Sequence, residues 1–350
     1  MMKNIITFLL TLLGLNTACS QQAFEDMEVE PFATLVKQDG VQLLDVRTAQ
    51  EYAEGHLDGA VNIDVKQPGF LASAKEVLNT AQPVAIYCRS GRRSANAADM
   101  LVAEGFKAVN LKGGILAWKE RQMPTTMTEV DVFKTRSGKT VKLYALMHAS
   151  IRIVFDGKEI EIDPVRQLGD RITDYSAVPK ADFLFVTHEH RDHFDKEALA
   201  QLSGEQTQLV TNGRCAEMLG YGKKMSNGDT LRLDEVLKVE AVPAYNTTED
   251  HKQFHPKGRD NGYILTLDGL RIYIAGDTED IPDMAALKDI DIAFLPCNQP
   301  YTMTTDQLIH AAQMVKPKVL FPYHYGKTDV SALPSQLQSA GIEVRIRHYE

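Results

Sequence analysis

Four residues in one short run can bind a metal: His188, His190, Asp192 and His193, in the pattern H-x-H-x-D-H. Imidazole nitrogen and carboxylate oxygen suit Zn²⁺ and other borderline first-row ions. Crowding such groups without a metal is costly, because polar groups in a dry cluster lose their water. A second chemical group is the loop Cys88-Arg89-Ser90-Gly91-Arg92-Arg93-Ser94. Backbone N–H groups in a loop leading onto a helix favour an anion, and three arginines add positive charge. Both effects favour a thiolate at Cys88, making it a nucleophile. The same cradle, residues 89–94, would hold the anion of a persulfide or of thiosulfate.

Rigid elements must aim these groups. The apolar stretch 181–186 reads as a buried strand that delivers the histidine run. Strand signals at 41–46, 60–63, 84–87 and 109–111 alternate with helical signals at 50–54, capped by Thr48, and at 95–103. Gly113-Gly114 opens a further helix that carries Trp118. This alternation predicts a parallel sheet flanked by helices. Beyond the polar, Pro124-containing stretch 123–128, Asp156-Gly157 and Asp268-Gly269 mark hairpins between 151–155 and 159–162 and between 263–267 and 270–274. Helices are expected at 196–202, 283–288, 306–315 and 332–340. Two strand runs with interspersed helices predict two sheets packed face to face with helices outside. The fold class is α/β throughout, with expected segments 1–21, 22–127 and 128–350.

From about Val130 onward the chain resembles the metallo-β-lactamase superfamily. The histidine run is followed by Ile274-Ala275-Gly276-Asp277-Thr278 and by Phe321-Pro322-Tyr323-His324. The resemblance implies an αββα sandwich in which Asp277 bridges two metals and His324 is the last histidine ligand. Leu146-Met147-His148-Ala149-Ser150, followed by Ile162-Asp163-Pro164, looks like the opening of the ascorbate-6-phosphate-lactonase-like branch. That branch includes N-acyl-phosphatidylethanolamine phospholipase D, and it implies that His148 lies near the metals, at the substrate or behind the ligands. The family places a third histidine after a strand ending in Pro-Ala. Here that place, after Pro243-Ala244-Tyr245, holds Asn246. His255 and His251 are the two nearby replacements. With His255, one ion would have His188, His190 and His255, and the other Asp192, His193 and His324. Zinc is the expected ion, with manganese and iron as alternatives. Two cations sharing a water generate a hydroxide nucleophile, and Asp192 would accept its proton during attack.

Residues 32–124 resemble the rhodanese family. The carriers are Asp45-Val46-Arg47, Glu51-Tyr52 with Gly55-His56-Leu57, Gly59-Ala60-Val61-Asn62-Ile63, the Cys88 loop, and Gly113-Gly114 with Trp118. The resemblance implies a Cys88 persulfide and a sulfur donor such as thiosulfate. A phosphatase-type C-x5-R loop does not fit, because position 94 is serine. Asp45 and Arg47 are expected to form a structural ion pair, and His56 to fix a turn. Cys297, His310 and His348 receive no role.

Lys3, the apolar run 5–15 and the small residues before Cys19 form a short secretory signal resembling that of a bacterial lipoprotein. The run is shorter than the roughly 20 residues of a spanning helix. The expectation is an exported protein held at a membrane by a lipid on Cys19. If Cys19 is lipidated and Cys88 catalytic, only Cys215 and Cys297 remain, and their spacing argues no disulfide. A hydrophobic content of 44% over 350 residues supports more than one core. A net charge of −9 gives nucleic-acid binding no electrostatic support. The functional expectation is sulfur transfer at Cys88 joined to metal-dependent hydrolysis of a phosphodiester, lactone or amide in a small molecule. The alternatives are a persulfide dioxygenase with one iron and a binding module without turnover.

Overall fold

The computed structural model describes residues 24–349. Its N-terminal sheet has five parallel strands, in the spatial order Glu25–Met27, Lys107–Leu111, Pro83–Tyr87, Gln42–Asp45 and Val61–Asn62. Alternate residues of each strand serve opposite faces. Leu44 and Ile86 pack with Leu101 of the helix Arg92–Ala103, whereas Leu43 and Ala85 pack with Trp118 of the helix Gly114–Glu120. Both faces are thus covered, as a parallel sheet requires. The helix Ala49–Ala53 starts in a full capping box: Thr48 accepts from the Glu51 N–H and Glu51 accepts from the Thr48 N–H.

The C-terminal part is a sandwich of two seven-stranded sheets. The first runs Lys223–Lys224, Gln208–Thr211, Phe183–Val186, Lys158–Ile162, Ser150–Phe155, Thr140–Met147 and Val130–Lys134. The second runs Thr230–Arg232, Leu237–Ala244, Asp260–Leu267, Leu270–Ile274, Ile292–Pro296, Val319–Tyr323 and Glu343–Val344. Ile153, Phe185, Val239, Leu265, Ile272 and Phe294 meet in the core between them. The opposite strand faces lie under helices. Leu184 and Val186 pack against Lys196–Leu202, and Tyr273 and Leu295 share a core with Leu308 and Ala311 of Thr305–Val315. Both predicted Asp-Gly hairpins are present, with φ of 52° and 76° at Asp156-Gly157 and of 46° and 82° at Asp268-Gly269. Two successive positive φ values make the type I′ turn, whose twist matches the strands it joins.

Some expected elements differ. The segment 283–288 is not an α-helix: Pro282–Ala286 forms a tighter 3-10 turn. The segment 332–340 divides into the helix Leu333–Leu337 and a 3-10 turn, Gln338–Ala340, ended by Gly341 at φ 72°. The helices Val29–Leu35, Phe70–Val77 and Gly213–Leu219 have no counterpart among the expected elements. They are short, and a 3.6-residue period is hard to read over two turns.

The stretch 123–128 is pinned rather than loose. Thr126 exchanges two backbone hydrogen bonds of 2.8 Å with His56. The buried His56 ring stacks on Tyr52 at 3.6 Å, with its nitrogens 2.9 Å from the carbonyl oxygens of Tyr52 and Thr128. On the far side, Arg345 and Arg347 close onto the buried Asp131 at 2.8 and 2.6 Å. His56→Ala strands buried carbonyls and opens a void. It should lower stability by about 2 kcal/mol and expose 123–128 to protease. Thermal unfolding and limited proteolysis check this; an unchanged digest removes His56 as the anchor.

Candidate metal centre and cysteine loop

The centre lies where several strands end. His188, His190, Asp192 and His193 follow the strand Phe183–Val186, Asp277 follows Leu270–Ile274, and His324 follows Val319–Tyr323. His148 occupies the turn between Thr140–Met147 and Ser150–Phe155. His255 lies in the loop before Asp260–Leu267. His148 and His324 have φ of 56° and 48°, a left-handed conformation unusual for residues with a Cβ. Such backbone strain is kept where surrounding structure over-determines it. Here the His324 N–H donates to the His148 carbonyl at 3.2 Å, coupling the two turns.

The side chains form two ligand groups: His188, His190, His255 and Asp277, and His148, Asp192, His193 and His324. Within each, the donor atoms lie within 4.8 Å of one another. Asp277 stands between the groups. Its carboxylate oxygens lie 3.2 Å from His193 Nε2, 3.3 Å from His324 Nε2, 3.4 Å from His255 Nε2 and 3.8 Å from His188 Nε2. Yet these four Nε2 atoms and Asp277 Oδ1 are buried without a hydrogen-bond partner. Buried polar atoms are nearly always satisfied, so this many orphans facing one another mark the place of a cation. Burial, reinforced by His193, holds His188 well below the usual histidine range, leaving a neutral ring with a lone pair to offer. Burial pushes Asp277 upward, but His324 and His193 outweigh it and keep the carboxyl well below its usual range.

Supporting groups set the ring orientations. Asp163 accepts from His193 Nδ1 at 2.8 Å and from the Thr187 hydroxyl and N–H at 2.7 Å each. The Thr187 hydroxyl also lies 3.0 Å from His188 Nδ1. A carboxylate behind a histidine fixes its tautomer and frees the other nitrogen for a metal. Sequence inspection missed these roles; the available signal was an aspartate at the end of a strand, in Ile162-Asp163-Pro164.

In the other domain, Cys88 sits between the strand Pro83–Tyr87 and the helix Arg92–Ala103 and is 1% exposed. Burial raises its pKa, but hydrogen bonds from the Ser94 hydroxyl and from the N–H groups of Ser94, Ser90 and Arg93 outweigh it, and the thiol is lowered overall. Arg89, Ser90 and Arg92 are exposed at the mouth, whereas Gly91 and Ser94 are buried beneath it. Arg93 divides its charge: it pairs with Glu51 at 2.6 Å and also interacts with Cys88. The Arg93 hydrogen bonds draw the Glu51 carboxyl down to about 2. A second helix supports the loop: the Ile115 and Leu116 N–H groups donate to the Cys88 and Arg89 carbonyls at 2.9 and 3.1 Å. Only glycine fits at 114, where a Cβ would stand 2.4 Å from the Cys88 carbonyl oxygen. Asp45 and Arg47 form a buried pair at 2.6 Å.

The family description "Beta-lactamase superfamily domain" matches residues 142–324, more than half of the chain. The chain belongs to this superfamily. A second description, "Rhodanese-like domain", matches residues 28–121. Among curated relatives, a UPF0173 metal-dependent hydrolase of Ligilactobacillus salivarius is 36% identical over 186 residues, covering 51% of this chain and 82% of the relative. One from Thermococcus onnurineus is 33% identical over 198 residues, covering 53% and 84%. A solved structure of a Parabacteroides distasonis protein is 50% identical, with a TM-score of 0.62, covering 64% of this chain and all of that one. The metallo hydrolase Igni18 from Ignicoccus hospitalis is 27% identical, with a TM-score of 0.51, covering 59% and 94%. The protein is thus a metal-dependent hydrolase of the metallo-β-lactamase fold fused to a rhodanese-like domain.

Against the superfamily pattern, Asn246 lies in neither ligand group. His251 is also outside them, with Nδ1 3.1 Å from Glu279. His255 stands in the first group and His148 in the second. Glu189 turns away toward Arg214 and Arg259, at 3.1 and 3.5 Å. Cys297 is buried among apolar side chains that push its thiol up to about 12, and burial does the same to Cys215. His310 and His348 pair with Asp280 and Glu129, at 2.7 and 3.1 Å. Cys19 lies outside the described residues.

Cys88 should be alkylated by iodoacetamide at neutral pH, while Cys215 and Cys297 stay protonated and inert. Its rate should fall as pH drops through a midpoint below the ordinary thiol value of about 9, and Ser94→Ala should move that midpoint up. A profile unchanged by Ser94→Ala would remove the hydroxyl from the cradle. Separately, Asp277→Ala should lower the metal-to-protein ratio, whereas His251→Ala should leave it unchanged. Elemental analysis of the two variants checks this.

Proposed function

We propose that the protein couples two activities: sulfur transfer through a persulfide on Cys88, and hydrolysis of a phosphodiester, lactone or amide at a two-ion centre. The observation that carries the hydrolytic reading is the convergence of two ligand groups on one buried carboxylate, Asp277. A two-ion site needs a shared anionic ligand of this kind to offset cation–cation repulsion. Divalent ions bound there would lower the pKa of a shared water and polarise the scissile carbonyl or phosphoryl oxygen. His188, His190 and His255 would hold one ion, Asp192, His193 and His324 the other. The Asp192 side chain is 28% exposed against 3% for Asp277, so a substrate can approach Asp192. Burial raises the Asp192 pKa, but the His148 and His324 hydrogen bonds outweigh it and lower the carboxyl overall. Asp192 is therefore ionised, a weak base that would hold the attacking water through a hydrogen bond and take its proton only in passing. His148 Nε2, 3.2 Å from Asp192, orients that carboxylate. The donor set suits zinc, with manganese and iron the alternatives.

At Cys88 the thiolate attacks the outer sulfur of thiosulfate. The S–S bond breaks and sulfite leaves with its electron pair. Cyanide then takes the terminal sulfur as thiocyanate and restores the thiolate. The Ser90, Arg93 and Ser94 N–H groups stabilise the anion throughout, while Arg89 and Arg92 attract the donor.

We also propose that Cys19 carries a lipid that holds the exported protein at a membrane, supported by Lys3, the apolar run and the small residues before Cys19. No helix among the described residues is long and apolar enough to cross a membrane.

Cys88→Ser should abolish thiosulfate–cyanide transfer and leave metal content and hydrolysis of a generic phosphodiester or lactone unchanged. Asp192→Asn should do the reverse. Transfer persisting in Cys88→Ser would refute the persulfide. One iron per chain with oxygen uptake on a persulfide substrate would replace the hydrolytic reading with a dioxygenase. Absence of turnover with zinc or manganese on every ester, lactone and amide tried would favour a binding module. Mass spectrometry of membrane-extracted protein tests the Cys19 lipid.

A further inference from the structure

The first ligand group depends on a loop residue. The strands Leu237–Ala244 and Asp260–Leu267 pair up to Ala244 opposite Asp260, and the chain between them leaves the sheet as the loop 245–259. His255 therefore has no ladder hydrogen bonds to hold it, unlike a residue at a strand end, and loops are the more mobile parts of a fold. Its ring is nevertheless fully buried with Nε2 facing Asp277.

We propose that Asn246, Arg259 and Asp260 form a brace that delivers His255 to the first ion, so that the residue standing at the superfamily's histidine position acts as a positioning residue. This rests on the two-ion reading of the centre. The Asn246 N–H donates to the His255 carbonyl at 2.9 Å, closing the loop. The Asn246 side-chain amide donates to the Tyr301 carbonyl at 2.8 Å and to the His251 carbonyl at 3.3 Å, tying the loop to a neighbouring turn. At the other end, Arg259 donates to the Phe254 carbonyl at 2.6 Å and grips both oxygens of Asp260 at 2.7 and 2.8 Å. Asp260, itself fully buried, faces His255 Nδ1 with Oδ2 at 3.0 Å. A carboxylate there accepts a hydrogen bond from Nδ1–H, which leaves the Nε2 lone pair for a metal. Arg259 also reaches Glu189, the residue between His188 and His190, at 3.5 Å. One arginine thus links the turn bearing two ligands to the loop bearing the third.

A histidine restored at position 246 would lack the two amide N–H donors in this geometry, and the site is only 2% exposed. Asn246→His should therefore weaken metal binding, although a ligand count alone predicts a gain. Asn246→Asp keeps the shape but turns the donors into acceptors facing two carbonyls, and it should weaken the same site. The full chain, stripped of metal, is titrated with Co²⁺ alone, and the visible d–d bands are followed with elemental analysis. In Asp260→Ala, one ion should bind about 10–100-fold more weakly, with altered bands, and the other should bind normally. Asp260→Asn keeps an acceptor and should recover part of the loss, which a merely structural role would not produce. Unchanged affinities and bands in Asp260→Ala, or tighter binding in Asn246→His, overturn the brace. If Asp260→Ala does not fold, Asp260→Asn and Asn246→Asp decide in the same titration: weakening of one ion supports the brace, and normal binding overturns it. The unmutated protein tests the parent reading separately, since fewer than two Co²⁺ per chain refutes the two-ion centre whatever the variants do.

Discussion

Four imidazoles directed at one buried carboxylate are the constraint around which the C-terminal domain is built. Without a cation, the facing nitrogens and oxygens lose water and gain nothing in return. Proteins keep such arrangements where a bound ion compensates them, because metal-binding free energy then becomes folding free energy. Asp277 is central to this balance: histidines from both ligand groups lie within 3.8 Å of it. Removing any one histidine weakens a group, whereas removing Asp277 separates the two.

The sandwich supplies the geometry for this convergence. Phe183–Val186, Leu270–Ile274 and Val319–Tyr323 end at one edge of the two sheets, and their inner residues fill the shared core. Packed strands hold positions with little play, which suits ligands that must meet to within fractions of an ångström. The chain turns sharply, in a left-handed backbone conformation, where it presents the side chains of His148 and His324. Asp163 has the same left-handed backbone, with φ of 45°, and it is the carboxylate that orients His193. The other non-glycine residues of this domain with positive φ, Asp156, Asp268, Asp289 and Lys316, lie in hairpins and turns away from the centre.

The cysteine loop reaches reactivity by a different route. Its anion stabilisation comes from backbone N–H groups and one hydroxyl at short range, with the Arg93 guanidinium beside them. Arg93 is shared between Glu51 and Cys88. Such dipoles are fixed by the fold, so they need no reorganisation when the thiolate or persulfide forms. Gly114 is essential to the arrangement, since the second helix must press its backbone against the Cys88 carbonyl.

Much of this was legible in the linear chain because it is local. Ligands clustered as H-x-H-x-D-H, Asp-Gly turns with two positive φ values, the Thr48–Glu51 capping box and the strand–loop–helix around Cys88 each involve neighbours a few residues apart. Their chemistry is set by residue type and spacing. Short helices such as Phe70–Val77 and the 3-10 turn Pro282–Ala286 were misread or missed, because two turns carry too little period to separate from loop. What depends on partners far along the chain was decided by tertiary structure alone. That His255 rather than His251 lies beside Asp277 follows from Asp260, Asn246 and Glu279 capturing different histidines of one polar loop. That Arg93 divides its charge follows from Glu51, on another helix. That the stretch 123–128 is pinned follows from His56, 72 residues before its Thr128 partner. The sequence determined which groups can do chemistry. Packing decided which of them meet, because hydrogen-bond partners between distant segments are chosen only once the sheets bring those segments together.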